Sequence, residues 1–314
     1  MTPQACIVCD AHAWAPLYRR LVRCGCCGFV RAADLPGPDQ LARLYGPGYF
    51  QGEEYGDYLG DAPAHLENFR RRFARITAVA GRIESVYEVG CAYGLWLQTA
   101  RENGARAAGI DISPEAVRHA AGTLKLEAAL GAFEDARIAP GEFQACCMWD
   151  TLEHLPHPET HVAKVAELLP AGGWFFLTTG DLGAPLARRQ AERWRMIHPP
   201  THLQYFSRET VRRFLARHGL RATHIESTPV CRSVHGTLVG LKRFGTGPQR
   251  AVAGLVSALA PPAITRRLRF SIDLGDIMLV CARKDHGDDP RQRGASPSTV
   301  SIPPGARPAG TSRT

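Results

Sequence analysis

Residues 85–100 read SVYEVGCAYGLWLQTA. Val86 to Val89 form a short apolar run, and Gly90, Ala92 and Gly94 follow it. From Leu95 onward apolar residues recur at helical spacing. A strand that turns through small residues into a helix lets a ligand approach the backbone closely. A dinucleotide turn would read G-x-G-x-x-G and place a pyrophosphate on the helix N-terminus. Here position 92 is alanine and position 95 is leucine. Glu88, at the strand end just before the turn, would repel a pyrophosphate and suit a ligand with a positive amine. S-adenosylmethionine (SAM) is such a ligand, with an ammonium, a sulfonium and no phosphate. Asp111 ends the next strand, about 20 residues past the turn, where a carboxylate can accept from both ribose hydroxyls. Helix capping is the competing reading for both carboxylates.

Around this unit, strands and helices alternate. Leu66, Phe69, Phe73 and Ile76 share one face of a helix over 64–80. AAGID is a strand, and SPEAVRHAAG is a helix with Ser113 as N-cap and Pro114 at N1. FQACCMWD and GGWFFLTT are strands that flank the helix PETHVAKVAELL. SRETVRRFLARHG is a helix capped by Ser207 and stopped by Gly219; RATHIEST and DIMLVCARK form an antiparallel pair at its end. Alternation of this kind predicts an α/β fold with a mostly parallel sheet between helices.

At this point VYEVGCAYG, GIDIS, FQACCMWDTLEHLPHP and LLPAGGWFFLTT resemble the successive motifs of class I SAM-dependent methyltransferases. The nearest pattern is the group with EHL after the fourth strand, similar to quinone-biosynthesis and other small-molecule O-methyltransferases. The resemblance implies a Rossmann-like seven-stranded sheet. It implies that Glu88, Gly90, Ala92 and Gly94 line the methionine end, that Asp111 holds the ribose, and that Ile112 lies against the adenine. Phe133 and Glu134, in GAFED, would meet the adenine edge. Trp149 and Asp150 would sit under the methionyl end; core packing is the competing reading for Trp149.

Cys6, Cys9, Cys24 and Cys27 form a C-x2-C-x14-C-x2-C pattern. Two such hairpins supply four thiolates to one tetrahedral Zn2+, a closed and therefore structural site. Disulfide pairing is the competing reading and fits an intracellular chain poorly. A zinc ribbon ahead of a methyltransferase domain resembles sugar methyltransferases of glycan pathways and also certain ribosomal-RNA guanine methyltransferases. LYGPGYFQGEEYGDY is closer to the first group.

Histidine is suited to remove a proton from an acceptor hydroxyl near neutral pH. His154 follows the fourth strand; His198 and His202 follow the fifth, at the sheet edge where such folds bind ligands. These three are the candidate bases. The competing readings are a scaffold residue for His154, a loop residue for His198 and a hinge for His202. Tyr49 and Tyr55 are candidate lid residues.

The organisation read from this is a ribbon over 1–35, a connecting segment over 36–63, a methyltransferase domain over 64–285 and a disordered tail over 286–314. An insertion at 232–274 is partly amphipathic, and its uses are core packing, contact with a second copy, or docking on a membrane surface. The net charge of +8 invites nucleic acid, but the arginines, Arg70, Arg71, Arg72 and Arg75 among them, read as solvated helix faces. No apolar run approaches the roughly 18 residues of a membrane span, and no secretory signal is apparent, so a cytoplasmic setting is expected. The expected function is SAM-dependent methylation of a small polar metabolite such as a glycan precursor. The alternatives are an RNA methyltransferase and a non-catalytic binding module.

Overall fold

The computed structural model describes residues 4–18, 20–44 and 57–285. Tyr49, Tyr55 and the segment from residue 286 onward lie outside these. The chain begins with three short strands, β1 (Trp14–Tyr18), β2 (Leu21–Cys24) and β3 (Val30–Ala32), followed by α1 (Pro38–Leu44) and the long α2 (Ala62–Ala80). On α2, Phe69, Phe73 and Ile76 are buried as their period requires. The alternating part follows: β4 (Ser85–Val89), α3 (Leu95–Glu102), β5 (Arg106–Asp111), α4 (Pro114–Val117), β6 (Glu127–Leu130), β7 (Ala145–Trp149), α5 (Pro158–Leu168) and β8 (Trp174–Gly180). Then come α6 (Pro185–Gln190), β9 (Gln204–Tyr205), α7 (Arg208–Ala216) and β10 (Leu220–Ser227). The last lobe holds β11 (Val230–Ser233), α8 (Val234–Phe244), α9 (Gly247–Leu259), α10 (Pro262–Thr265) and β12 (Arg269–Ile272), and β13 (Ile277–Lys284) returns to the main sheet.

The main sheet has seven strands in the order β10-β13-β8-β7-β4-β5-β6. The five strands from β8 to β6 are parallel, and β13 runs antiparallel to both β8 and β10. This is the Rossmann-like arrangement of class I methyltransferases. The central strands are buried on both faces, so they read as continuous apolar runs. Ser113 accepts from the amide of Ala116, and Ser207 shares a capping box with Thr210. Beyond α4 the chain widens into a π-helical stretch over Arg118–Thr123, which the helical reading of SPEAVRHAAG does not distinguish.

Gly94 opens α3 in the left-handed region, with φ of 79°. A Cβ there would stand 2.8 Å from Leu126 Cδ1 and 2.9 Å from Ala120 Cβ. Its small size therefore serves the packing of α3 against the next unit. Gly94→Ala should cost about 3 kcal/mol of stability, from backbone strain plus overpacking, seen as a lower midpoint in urea unfolding.

The first three strands do not stand apart. They form a second sheet in the order β1-β2-β3-β9, where β9 belongs to the loop after β8. Val30 pairs with Tyr205 and Arg31 with Gln204, the Ala32 amide donates to the Leu203 carbonyl at 2.8 Å, and the Phe29 and Phe206 rings meet at 5.0 Å.

Candidate active site

The C-terminal edges of β4, β5 and β7 open into a cavity of about 2420 Å3, bordered on the far side by α2 and α8. Glu88 ends β4 beneath it. Its side chain is 2% exposed, and Oε2 has no hydrogen-bond partner. Burial, with the Asp111 carboxylate nearby, holds the Glu88 carboxyl well above the usual range, against the pull of Arg72. Such a group is ready to ionise once a cation arrives.

Gly90 follows with φ of 78°, and a Cβ would come 2.7 Å from Thr151 Oγ1. Ala92 takes the less usual step: it is an alanine at φ 44°. Its amide donates to Asp111 Oδ2 at 2.8 Å, while the Ser113 amide donates to Oδ1 at 2.8 Å. Asp111 is thus pinned across the turn. Burial raises its pKa and these amides oppose the shift. A carboxylate has about four acceptor sites, so lone pairs remain on both oxygens for a ligand's hydroxyls. Ile112, beside it, is 49% exposed into the cavity, an apolar surface suited to a flat ring.

Phe133 is buried against Tyr87 and His161. Glu134 meets His161 Nε2 at 3.2 Å. Lys164 donates to the carbonyls of Phe133, Glu134 and Ala136, so the rim of the cavity is fixed from α5. Trp149 is both a core residue, 4.7 Å from the Trp96 ring, and part of the cavity wall. Gly94 does not border the cavity as Gly90 and Ala92 do; its contacts are with Ala120 and Leu126.

Asp150 follows Trp149 at φ 50°. It accepts from Arg72 at 3.0 Å and from the Thr178 hydroxyl at 2.9 Å. Burial disfavours its charge, but Arg72 and Thr178 outweigh that and lower its pKa. Arg72 itself is 7% exposed and lies over the Trp149 and Phe69 rings. The reading of the α2 arginines as a solvated face is therefore corrected for Arg72. Helical period alone carries it to the buried side with Phe69 and Phe73, while Arg70, Arg71 and Arg75 stay outside.

The three candidate histidines, far apart in sequence, converge on one wall. The His154 and His202 rings stand edge to face at 4.6 Å, and His198 and His202 at 3.8 Å. His154 Nδ1 meets the Thr201 carbonyl at 3.0 Å and His202 Nδ1 meets the Met196 carbonyl at 2.9 Å. A carbonyl can only accept, so both rings carry the proton on Nδ1 and the lone pair on Nε2. Burial pushes His154 and His198 down to about 4 and His202 well below its ordinary value. All three are neutral at physiological pH.

Glu153, quoted in EHL but given no role from sequence, sits among them with neither carboxylate oxygen hydrogen-bonded. Burial and the Asp150 charge push it up to about 8. Donor atoms of Glu153, His154 and His202 lie within 4.8 Å of one another, a set able to relay a proton. His65, stacked on Tyr58 at 4.3 Å, and Tyr93, 5.4 Å from Tyr58, add an aromatic wall that sequence reasoning missed. Tyr58 and His65 are on or next to α2, and only the fold brings them over the turn.

At the other end of the chain, Cys6, Cys9, Cys24 and Cys27 gather with their sulfurs within 4.8 Å. The Cys6–Cys27 and Cys9–Cys24 sulfur distances are both 3.6 Å. A disulfide would need about 2.05 Å. Four sulfurs at 2.3 Å from one zinc would stand about 3.8 Å apart, so the donor set fits that ion. Cys26 points outward, exposed.

The comparisons with known proteins bear on residues 58–225, which match the sequence profile of a family described as a methyltransferase domain. The chain belongs to that methyltransferase-domain family. Residues 58–225 are thus a class I, SAM-dependent methyltransferase domain. The ubiquinone biosynthesis O-methyltransferase of Thiobacillus denitrificans is 35% identical over 102 residues, 31% of this chain and 44% of that protein. The enzyme of the same name from Chromobacterium violaceum is 32% identical over 111 residues, covering 33% and 47%. The chain therefore spans about half the length of the curated relatives it matches. Among solved structures, a SAM-dependent methyltransferase of Thermotoga maritima superposes with a TM-score of 0.50 at 12% identity, over 78% of this chain and all of that one. The YcgJ protein of Bacillus subtilis gives 0.50 at 15% identity, over 69% and 99%. At these identities the structures speak for the fold alone.

Proposed function

We propose that the whole chain is a SAM-dependent methyltransferase that methylates an oxygen nucleophile on a small molecule, with a structural Zn2+ on Cys6, Cys9, Cys24 and Cys27. The observation that carries this reading is the facing of two halves of one cavity. Glu88, Ala92 and Asp111 form a cationic-ligand and diol site on one side, and three neutral histidines lie on the other. The cofactor supplies an electrophilic methyl group on a sulfonium. Glu88 pairs with its ammonium, Asp111 accepts from its ribose hydroxyls, and Ile112 with Phe133 and Glu134 encloses its base. Asp150, held by Arg72, orders the floor beside Trp149.

On the acceptor side, His202 offers its Nε2 lone pair to a hydroxyl proton, and His154 and His198 pack against His202 to keep that face in place. Glu153 behind them, pushed up to about 8, stays protonated at neutral pH and adds no charge to that wall. Methyl transfer then needs alignment of the hydroxyl with the sulfonium, which a rigid wall supplies. Relatives named O-methyltransferases support oxygen as the nucleophile. A sugar or other glycan precursor is the acceptor class that the ribbon arrangement favours.

Methyl-labelled SAM, added with purified protein to a cell extract split into small-molecule, RNA and protein fractions, tests the reading. Label is expected in the small-molecule fraction. Label in RNA would overturn the acceptor class, and binding without transfer to any fraction would favour the non-catalytic alternative.

A further inference from the structure

Eleven large apolar side chains stand exposed among the described residues, and eight of them fall between residues 252 and 274. They are ordered rather than scattered. Val252, Leu255 and Leu259 recur at spacings of three and four on α9, opposite the buried Ala253. On β12, Phe270 and Ile272 alternate with Ser271, whose hydroxyl is bonded to Arg71 of α2. Ser271 faces the body of the protein, so Phe270 and Ile272 face away from it. Ile264 and Leu268 bridge the two elements and are 53% and 54% exposed. A grouped apolar surface of this kind marks an interaction site.

The charge around it is one-sided. Residues 232–274 carry seven arginines and lysines against one acidic residue, Asp273, and Asp273 accepts from Ser227 and Gly275. Lys242, Arg250, Arg267 and Arg269 of the same lobe are all exposed.

From this pairing of exposed apolar side chains with a basic lobe we propose that the lobe carrying α9, α10 and β12 docks on an anionic lipid bilayer. Apolar side chains enter the headgroup boundary while arginines and lysines meet lipid phosphates. A second copy of the chain is the poorer occupant, because two such faces would oppose basic lobes with a single carboxylate each. No helix among the described residues is long and apolar enough to cross a membrane, so the attachment is peripheral. The same lobe borders the cavity: α8 packs on α9 and turns His235, Gly236 and Val239 inward. The proposal does not depend on the catalytic reading above, and its test uses no turnover.

The test is sedimentation of the full chain with vesicles of phosphatidylcholine alone and of phosphatidylcholine with phosphatidylglycerol in equal parts. The protein should bind the anionic vesicles more than roughly tenfold better, with the difference shrinking at high salt. Leu255→Glu with Leu259→Glu should abolish binding while thermal melting stays as in the wild type. Lys242→Glu with Arg267→Glu should remove the preference for phosphatidylglycerol. Equal recovery of wild type and both variants with either vesicle would overturn the proposal. So would a dimer in sedimentation velocity that dissolves on Leu255→Glu, which would make the face a subunit interface.

Discussion

Glu88→Ala weakens SAM binding by roughly 100-fold. The reason is the state of the side chain before binding. It is buried, one carboxylate oxygen has no partner, and burial holds its pKa well above the ordinary carboxylate range. An ammonium beside it converts an unfavourable buried charge into a pair, and removing one member of a buried pair costs about 3 kcal/mol, near two orders of magnitude in affinity. The same state fixes a pH dependence. Pairing requires the ionised carboxylate, whereas the ligand-free chain keeps Glu88 protonated to a higher pH than a free glutamate. Binding therefore releases a proton, and affinity rises with pH until Glu88 ionises unaided. Calorimetry of S-adenosylhomocysteine (SAH), the product SAM leaves after methyl transfer, repeated in buffers of different ionisation enthalpy, counts that proton. In Glu88→Ala the proton should vanish together with the affinity. Equal proton release in the variant would assign the linkage elsewhere.

The second large effect lies far from the cofactor. Stripping metal with a strong chelator, or Cys24→Ser, should abolish most methyl transfer while SAH affinity stays within about twofold. A structural zinc contributes on the order of 10 kcal/mol to a module this small, so β1, β2 and β3 lose their fold without it. Their loss reaches the histidines through β9. Val30 and Arg31 pair with Tyr205 and Gln204, and the Ala32 amide holds the Leu203 carbonyl. Leu203 in turn donates to the Glu153 carbonyl at 2.7 Å. The loop that carries His198 and His202 is thus clamped between the cysteine module and the segment that carries Glu153 and His154. Glu88, Gly90 and Asp111 rest on β4 and β5 and keep their geometry. Parallel measurement of transfer rate and SAH binding on the stripped protein separates the two ends. Full activity in metal-free protein would remove the structural role assigned to the four cysteines.

These couplings show where sequence is legible and where it is not. The unit from β4 to β5 was readable because its signals are local: an apolar run, small residues at positive φ, and a carboxylate at each strand end. The cysteine pairs stand out because their C-x2-C spacing is short and regular, and the structure brings the four sulfurs together. Other features depend on partners far along the chain. β9 is two residues long and exists only because β3 lies beside it. β6, with Glu127 at its start, shows no apolar alternation and passes as a loop. Arg72 sits in a run of arginines that hides the one turned inward. Glu153 looks like an exposed acid until β7, the loop after β8 and β9 close around it. The exposed strip over 252–274 was readable as amphipathic, but which side of it faces solvent needed the Ser271–Arg71 bond.

The central claim is that SAM occupies the turn after β4 with Asp111 as its ribose acceptor, and one titration tests it most directly. SAH is titrated calorimetrically into the wild type and into Asp111→Ala at equal protein concentration. The account predicts a single saturable site in the wild type and a loss of roughly 100-fold or more in the variant, as expected when charge-assisted hydrogen bonds to two hydroxyls are removed. Wild-type affinity in Asp111→Ala, with its fold intact by circular dichroism, would contradict it.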